Sequence, residues 1–242
     1  MFDLNGKTAV VTGATQGIGF SIANILAAYG AKVFVCGGHD AEKTNAAAAK
    51  IPNAVPVTVD LTVAGAIDML HDATGDADIL VINASLQHRA PWDAYTELQF
   101  DETITCNLKS AYFLITKYAQ GMKTRGWGRI VTIGSVNQYN QHKELSLYAV
   151  TKVAQKKMVE NFAPELAPFG VTINNIAPGA IRTPRNEEIY ADLQRRAAVE
   201  AKIPCGRFGK PEDISPAVLL LCSEEGSYIT GSEIVIDGGM SL

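Results

Sequence analysis

Two short runs, Ala9-Val10-Val11 and Ile79-Leu80-Val81-Ile82, are apolar at every position rather than at every second one. Successive side chains of a strand point to opposite faces, so an unbroken apolar run needs cover on both. That condition fits a parallel sheet held between two layers of helices, not a sheet with one face in water.

The rest of the chain supplies the partners. Strand patterns at Thr8–Thr12, Lys32–Cys36, Val55–Val59 and Ile79–Ile82 alternate with helical ones. Ile18, Ile22, Ile25, Leu26 and Tyr29 mark the first helix, and 41–50 and 63–73 the next two. The segments 97–125, 129–134, 147–167 and 171–176 continue as helix, strand, helix, strand. A last helix at 211–222 precedes the strand Glu233–Ile236. Repeated βα units with right-handed crossovers predict a doubly wound α/β fold with helices on both faces of a parallel sheet. No Pro/Gly/Ser linker, composition break or repeat divides the 242 residues. A single domain over 1–242 is expected.

Charge and composition remove several function classes. The net charge of −4 gives a nucleic-acid partner no electrostatic support. No apolar stretch approaches the ~20 residues that span a bilayer, and no signal-peptide pattern precedes the first strand. Cytoplasmic residence without membrane attachment is the expectation. Cys36, Cys106, Cys205 and Cys222 are widely spaced and suggest reduced, mostly buried thiols. His39, His71, His88 and His142 fall in no ligand spacing, so no metal centre is expected.

The turn after the first strand reads Thr12-Gly13-Ala14-Thr15-Gln16-Gly17-Ile18-Gly19 and opens the first helix. Glycines there permit a tight turn and a close approach of backbone N–H groups to a pyrophosphate, and the helix N-terminus favours the anion. The last glycine lets helix and strand pack closely. Three glycines alone only mark a turn. Strand before and helix after are what point to a dinucleotide.

The pattern Y-x-x-x-K occurs twice. Tyr139 to Lys143 lies in a polar stretch with no helical period and reads as loop. Tyr148-Ala149-Val150-Thr151-Lys152 begins the helical pattern that runs through Val153, Met158, Val159 and Phe162, where i and i+4 share one face. A free tyrosine, with a pKa near ~10, is a poor base at neutral pH. A neighbouring ammonium and an oxidised nicotinamide both favour the phenolate, so Tyr148 can exchange a proton with an alcohol or carbonyl while hydride moves.

With these motifs in order along almost the whole chain, the sequence resembles the compact branch of the short-chain dehydrogenase/reductase family. The set comprises the T-G-x-x-x-G-x-G loop, Asp60-Leu61, Asn83-Ala84, Asn107, Ser135, Tyr148 with Lys152, and Pro178-Gly179. Tyr228-Ile229-Thr230-Gly231 and Asp237-Gly238-Gly239 complete it. The resemblance implies a Rossmann-like fold and a catalytic set of Asn107, Ser135, Tyr148 and Lys152. Ser135, thirteen residues before Tyr148, would bond the substrate oxygen; Ser146 reads as a helix-start residue. Lys152 would also bind the nicotinamide ribose, and Asn107 would hold a water that links Lys152 to solvent.

The same resemblance implies a cofactor cradle. It draws on Gly13, Thr15, Gln16, Gly17, Ile18 and Gly19, then Gly38 and His39 after the second strand. Asp60 and Leu61 would meet adenine and Asn83, with Ala84, its ribose or the adjacent backbone, while Pro178, Gly179, Ile181 and Thr183 would face the nicotinamide. Ser85 stands where the family's N-A-G motif has glycine and crowds that side. The cofactor is NAD or NADP. The second strand ends in Gly37 and Gly38 with no carboxylate to repel a 2′-phosphate, which favours NADP, with His39 and Lys43 as its cationic candidates.

Loops beyond the strands' carboxyl ends are polar. Gln87, Arg89, Asn137, Gln138, Arg182 and Arg185 are the candidate substrate residues, with His88 and His142 nearby. They suit a sugar, polyol, or hydroxy or keto acid better than a steroid or long acyl chain. The charged segment at 183–201 is expected to act as a lid, and the family's usual assembly implies a homotetramer. An acyl-carrier-linked ketoreductase is the nearest alternative. A non-catalytic dinucleotide sensor would be expected to lose the tyrosine or lysine, and an isomerase or dehydratase to carry a larger C-terminal region.

Overall fold

The computed structural model describes residues 2–242. Its strands are β1 (Thr8–Thr12), β2 (Lys32–Gly37), β3 (Val55–Thr58), β4 (Ile79–Ile82), β5 (Gly128–Ile133), β6 (Val171–Pro178) and β7 (Glu233–Ile236). All are parallel, in the order β3-β2-β1-β4-β5-β6-β7. Between them run α1 (Gly17–Ala28), α2 (Ala41–Ala48), α3 (Ala66–Thr74), α4 (Glu97–Ile104), α5 (Ser110–Arg125) and α6 (Ser146–Leu166). After β6 follow α7 (Glu187–Ala191), α8 (Leu193–Glu200) and α9 (Pro211–Cys222).

The unbroken apolar strands are explained by two cores. Ala9 and Val11 of β1 join Ile22 and Leu26 of α1 and Ile214 of α9 on one face. Val10 points the other way, to a cluster with Leu70 of α3, Leu114 of α5 and Val159 of α6. β4 splits in the same manner, Ile79 and Val81 to the first core and Leu80 and Ile82 to the second. Every residue of both runs is therefore buried, as a sheet covered on both sides demands.

Local boundaries differ from the sequence reading where backbone geometry intervenes. The pattern over 97–125 is not one continuous helix: between α4 and α5 the chain widens into a π-turn at Thr105–Lys109 that contains Asn107. α3 starts at Ala66, because Gly65 takes a left-handed φ of 78° just before it. Ser146 does open α6, but as its first residue; Leu145 holds the cap position and no side chain caps the helix.

β1 lies between β2 and β4, with Val11 in register with both Val35 and Val81. The chain thus winds outward from β1 in one direction and then returns to start in the other. At such a reversal the loops beyond the strand ends diverge and leave a crevice. Hydrogen bonds tie the two divergent loops together. Thr12 Oγ1 accepts from the backbone N–H groups of Asn83 and Ala84, both at 3.1 Å, and Asn83 Nδ2 donates to the carbonyls of Thr12 (3.1 Å) and Gly13 (2.9 Å). A Cβ on Gly19 would sit 2.4 Å from the Gly13 oxygen and 2.5 Å from that same amide. Only glycine lets α1 approach this clamp.

Candidate active site

The loops after β1 to β6 surround a cleft of about 620 Å³. At its floor Gly13 and Gly17 adopt left-handed φ values of 63° and 57°. Added side chains would meet Ala84 Cα at 2.8 Å and Thr183 Cγ2 at 3.1 Å respectively. No side chain caps α1, so its first N–H groups have no side-chain acceptor and present a cradle for an anion. Thr15, Gln16 and Ile18 line the same floor. This chemistry fits a dinucleotide pyrophosphate.

One end of the cleft is walled by Gly38, His39, Asp60 and Leu61. Asp60 accepts from the Thr62 N–H (2.9 Å) and hydroxyl (2.7 Å), and these bonds hold its carboxyl below the usual range. Lys43 does not line the cleft; its N–H is spent on Asp40, the cap of α2. Of His39 and Lys43, only His39 lines it among the described residues. Asn83 lines the cleft, and its amide braces the glycine loop. Pro178, Gly179, Ile181 and Thr183 wall the opposite end.

That second end contains the titratable centre. Tyr148 and Lys152 lie in the first turns of α6 on its buried face, with Thr151 and Gln155. Lys152 is 1% exposed, and its Nζ donates to the Ile133 carbonyl (2.7 Å) and to Gln155 Oε1 (3.0 Å). No carboxylate faces it, so burial, aided by the Arg185 guanidinium, brings its pKa down to about 7. Burial pushes the Tyr148 phenol up; Arg185 and hydrogen bonds with Ser135 and Ser85 act against that rise. Ser135 Oγ accepts from the Asn137 N–H at 3.1 Å, which leaves its own O–H free to donate.

Asn107 is fully buried. Its side chain accepts from Leu86 N (2.7 Å) and donates to Leu86 O (2.9 Å) and Thr151 Oγ1 (3.2 Å). Its carbonyl accepts from Gln155 Nε2 at 2.5 Å. The Gln155 side chain thereby links the Asn107 carbonyl to Lys152, whose Nζ it accepts from through Oε1. Sequence reasoning missed Gln155. The available signal was a polar residue three positions beyond Lys152, on a helix face that is otherwise largely apolar beyond it.

Of the candidate substrate residues, Gln87, Arg89, Asn137 and Arg185 line the cleft. Two do not. Gln138 turns to Glu233 of β7, and Arg182 stacks on the Tyr190 ring at 4.1 Å beside Glu187. His142, and the pair His88–Glu102 at 3.1 Å, also line the cleft. An apolar wall of Val136, Leu145, Ile189, Val199, Phe208 and Met240 makes it less polar than the loops alone suggested.

A parallel sheet with a crevice at its reversal, a glycine cradle and a buried Tyr–Lys pair together define a dinucleotide-dependent oxidoreductase. A family model described as Enoyl-(Acyl carrier protein) reductase matches residues 13–241. Gluconate 5-dehydrogenase of Gluconobacter oxydans is 32% identical, covering 100% of this chain and 97% of the relative. D-beta-hydroxybutyrate dehydrogenase of Cupriavidus necator is 35% identical over 98% of each. A 3-oxoacyl (acyl-carrier-protein) reductase of Agrobacterium tumefaciens, solved with NADP bound, superposes with a TM-score of 0.93 at 36% identity, over 98% of this chain and 95% of that one. The chain belongs to the short-chain dehydrogenase/reductase family. It is an NAD(P)-dependent oxidoreductase acting on CH–OH groups.

The Gln155 contact has a measurable consequence. An acceptor on an ammonium favours its charged form, so Gln155→Leu is expected to move the Lys152 midpoint below about 7, and Gln155→Glu to raise it. Lysine ¹³Cε shifts followed against pH report this directly in the cofactor-free protein. A midpoint that Gln155→Leu leaves in place would mean that Gln155 only fills space.

Proposed function

We propose that this protein interconverts an alcohol and a carbonyl on a small polar substrate, a sugar, polyol, or hydroxy or keto acid, using NADP(H) in preference to NAD(H). The observation that carries this reading is the Ser135–Tyr148–Lys152 group at the end of a cleft flanked by Gln87, Arg89 and Asn137. The relatives named for gluconate and hydroxybutyrate support it. For NADP speak the absence of a carboxylate at the end of β2, and the solved relative that holds NADP. The apolar wall of the cleft favours a second reading, reduction of a 3-oxoacyl group.

Bound nicotinamide supplies the hydride donor or acceptor. The chain's own residues handle the proton and the orientation. Ser135 donates to the substrate oxygen and fixes it against Tyr148. In reduction, Tyr148, whose phenol burial keeps protonated, gives its proton to the developing alkoxide. In oxidation it receives that proton, and the Lys152 and Arg185 cations stabilise the phenolate needed. Asn107 holds the loop at Leu86 and, through Gln155, the position of Lys152.

A screen of NADP⁺ and NAD⁺ reduction against sugars, polyols and hydroxy acids tests the class, with 3-oxoacyl thioester reduction as the competing arm. Tyr148→Phe is expected to lower kcat by about 10²–10⁴-fold, the range of a lost acid–base group. Full turnover in that variant would defeat the mechanism.

The segment at 183–201 comprises a short turn at Pro184–Asn186 with α7 and α8, and neither helix has a buried residue. Such a weakly packed cover suits a lid. Its amide exchange is expected to slow when NADP⁺ and substrate are added together, and equal rates with and without them would defeat the assignment. The protein's compartment is expected to be the cytoplasm, where its four unpaired thiols stay reduced, as cell fractionation can test. A homotetramer is expected to bury Leu98, Phe100, Phe113, Val150 and Val153, exposed together on α4, α5 and α6. Light scattering that returns the 25.9 kDa monomer mass would reject it.

A further inference from the structure

The residue that departs from the family's N-A-G motif sits at the centre of the charge arrangement. Ser85 Oγ accepts from Arg185 Nη1 at 3.1 Å, and the Ser85 carbonyl accepts from Nη2 at 2.7 Å. Arg185 follows Thr183 and Pro184 in the lid turn, which Asn186 pins by donating to the Ile181 carbonyl at 3.0 Å. The guanidinium is thereby brought to the cleft's catalytic end, close enough to bond the Tyr148 phenol and to oppose the charge of Lys152.

No carboxylate answers it. Among the described residues Arg185 has no ion pair, whereas the neighbouring acids are engaged: Glu102 with His88 at 3.1 Å and Glu144 with Arg89 at 3.6 Å. Two cations, Arg185 and Lys152, therefore face one small volume without an anion. Ser85 occupies two of the guanidinium's five donors and orients its plane, which leaves N–H groups for a planar oxyanion.

We propose that Arg185, positioned by Ser85, binds the carboxylate of the substrate, and that the substrate is a hydroxy or keto acid with its carboxylate one or two carbons from the reacting carbon. The spacing follows from geometry. The reacting oxygen must lie at Tyr148 and Ser135, and Arg185 is within hydrogen-bonding reach of the same phenol. This deepens the oxidoreductase reading above and rests on it. It separates acids from neutral polyols and from thioesters, which offer no charge to Arg185.

Dead-end binding tests the proposal without turnover. NADPH, or NADH if it binds more tightly, is first bound to the protein and its fluorescence recorded. Matched pairs are then titrated in: lactate and propane-1,2-diol, 3-hydroxybutyrate and butane-1,3-diol, gluconate and glucitol, with inorganic phosphate as a separate arm. At least one acid is expected to bind about tenfold or more tightly than its diol, as a charge-assisted bidentate contact implies. Arg185→Met should abolish that preference, Arg185→Lys retain part of it, and Ser85→Gly reduce it. Equal binding within every pair, no binding by any acid, phosphate binding tighter than all acids, or a preference that survives Arg185→Met would each overturn it. Failure of either dinucleotide to bind appears before any acid is added; it fails the cofactor reading and the proposal with it.

Discussion

Lys152 is the group on which the catalytic half of the molecule depends. An ammonium taken out of water without a counter-ion is costly, and proteins ordinarily answer it with a carboxylate. Here the answer consists of neutral oxygens, the Ile133 carbonyl at the end of β5 and the Gln155 amide one turn along α6. Carbonyl acceptors hold the ammonium in place without neutralising it, so its charge remains directed at the cleft. The result is a lysine that titrates near neutrality and a phenol whose ionisation is sensitive to each cation brought near it. Gln155 extends the arrangement by donating to Asn107, so the π-turn between α4 and α5, the catalytic helix and the Leu86 loop share one network.

The cofactor half rests on a different economy. There the polar groups serve the backbone: Thr12-Gly13 and Asn83-Ala84 share four hydrogen bonds across the β1–β4 reversal, and Gly19 admits α1 against them. Charge is nearly absent from the cradle. An anion held by N–H dipoles and a helix terminus needs no lysine, which agrees with the neutral Gln16 and with Lys43 lying off the cleft. The two halves meet at Ser85, two residues beyond Asn83, where the brace ends and the contact with Arg185 begins.

Much of this was legible in the chain because it follows from periodicity. Unbroken apolar strands specified a sheet covered on both sides, and the helical apolar period placed Tyr148 with Lys152 while its absence dismissed Tyr139. The wrong and missed assignments share a cause: spacing gives the position of a residue but not the direction of a long side chain. Gln138 is adjacent to Asn137, yet the two point to β7 and to the cleft. Arg182 and Arg185 are one turn apart, and an aromatic ring captures the first while Ser85 captures the second. Gln155 escaped notice because a buried amide in an amphipathic helix looks like a solvated one until its partners are known.

Arg185 would also give the proposed lid an electrostatic logic. Its guanidinium opposes the charge of Lys152, since two like charges brought near one another repel. The Ser85 bonds offset part of that repulsion. An anion between the two cations would remove it and add attraction, so the lid proposed at 183–201 would close most favourably over an acid. A neutral ligand of the same shape would close the lid against the repulsion, not with its help. Closure and proton transfer then depend on the same charge, because the guanidinium that completes the lid contact is also the strongest opponent of the burial that keeps Tyr148 protonated. An anion drawn to Arg185 weakens that opposition and leaves Tyr148 more firmly protonated. That condition suits proton donation to a carbonyl better than proton removal from an alcohol.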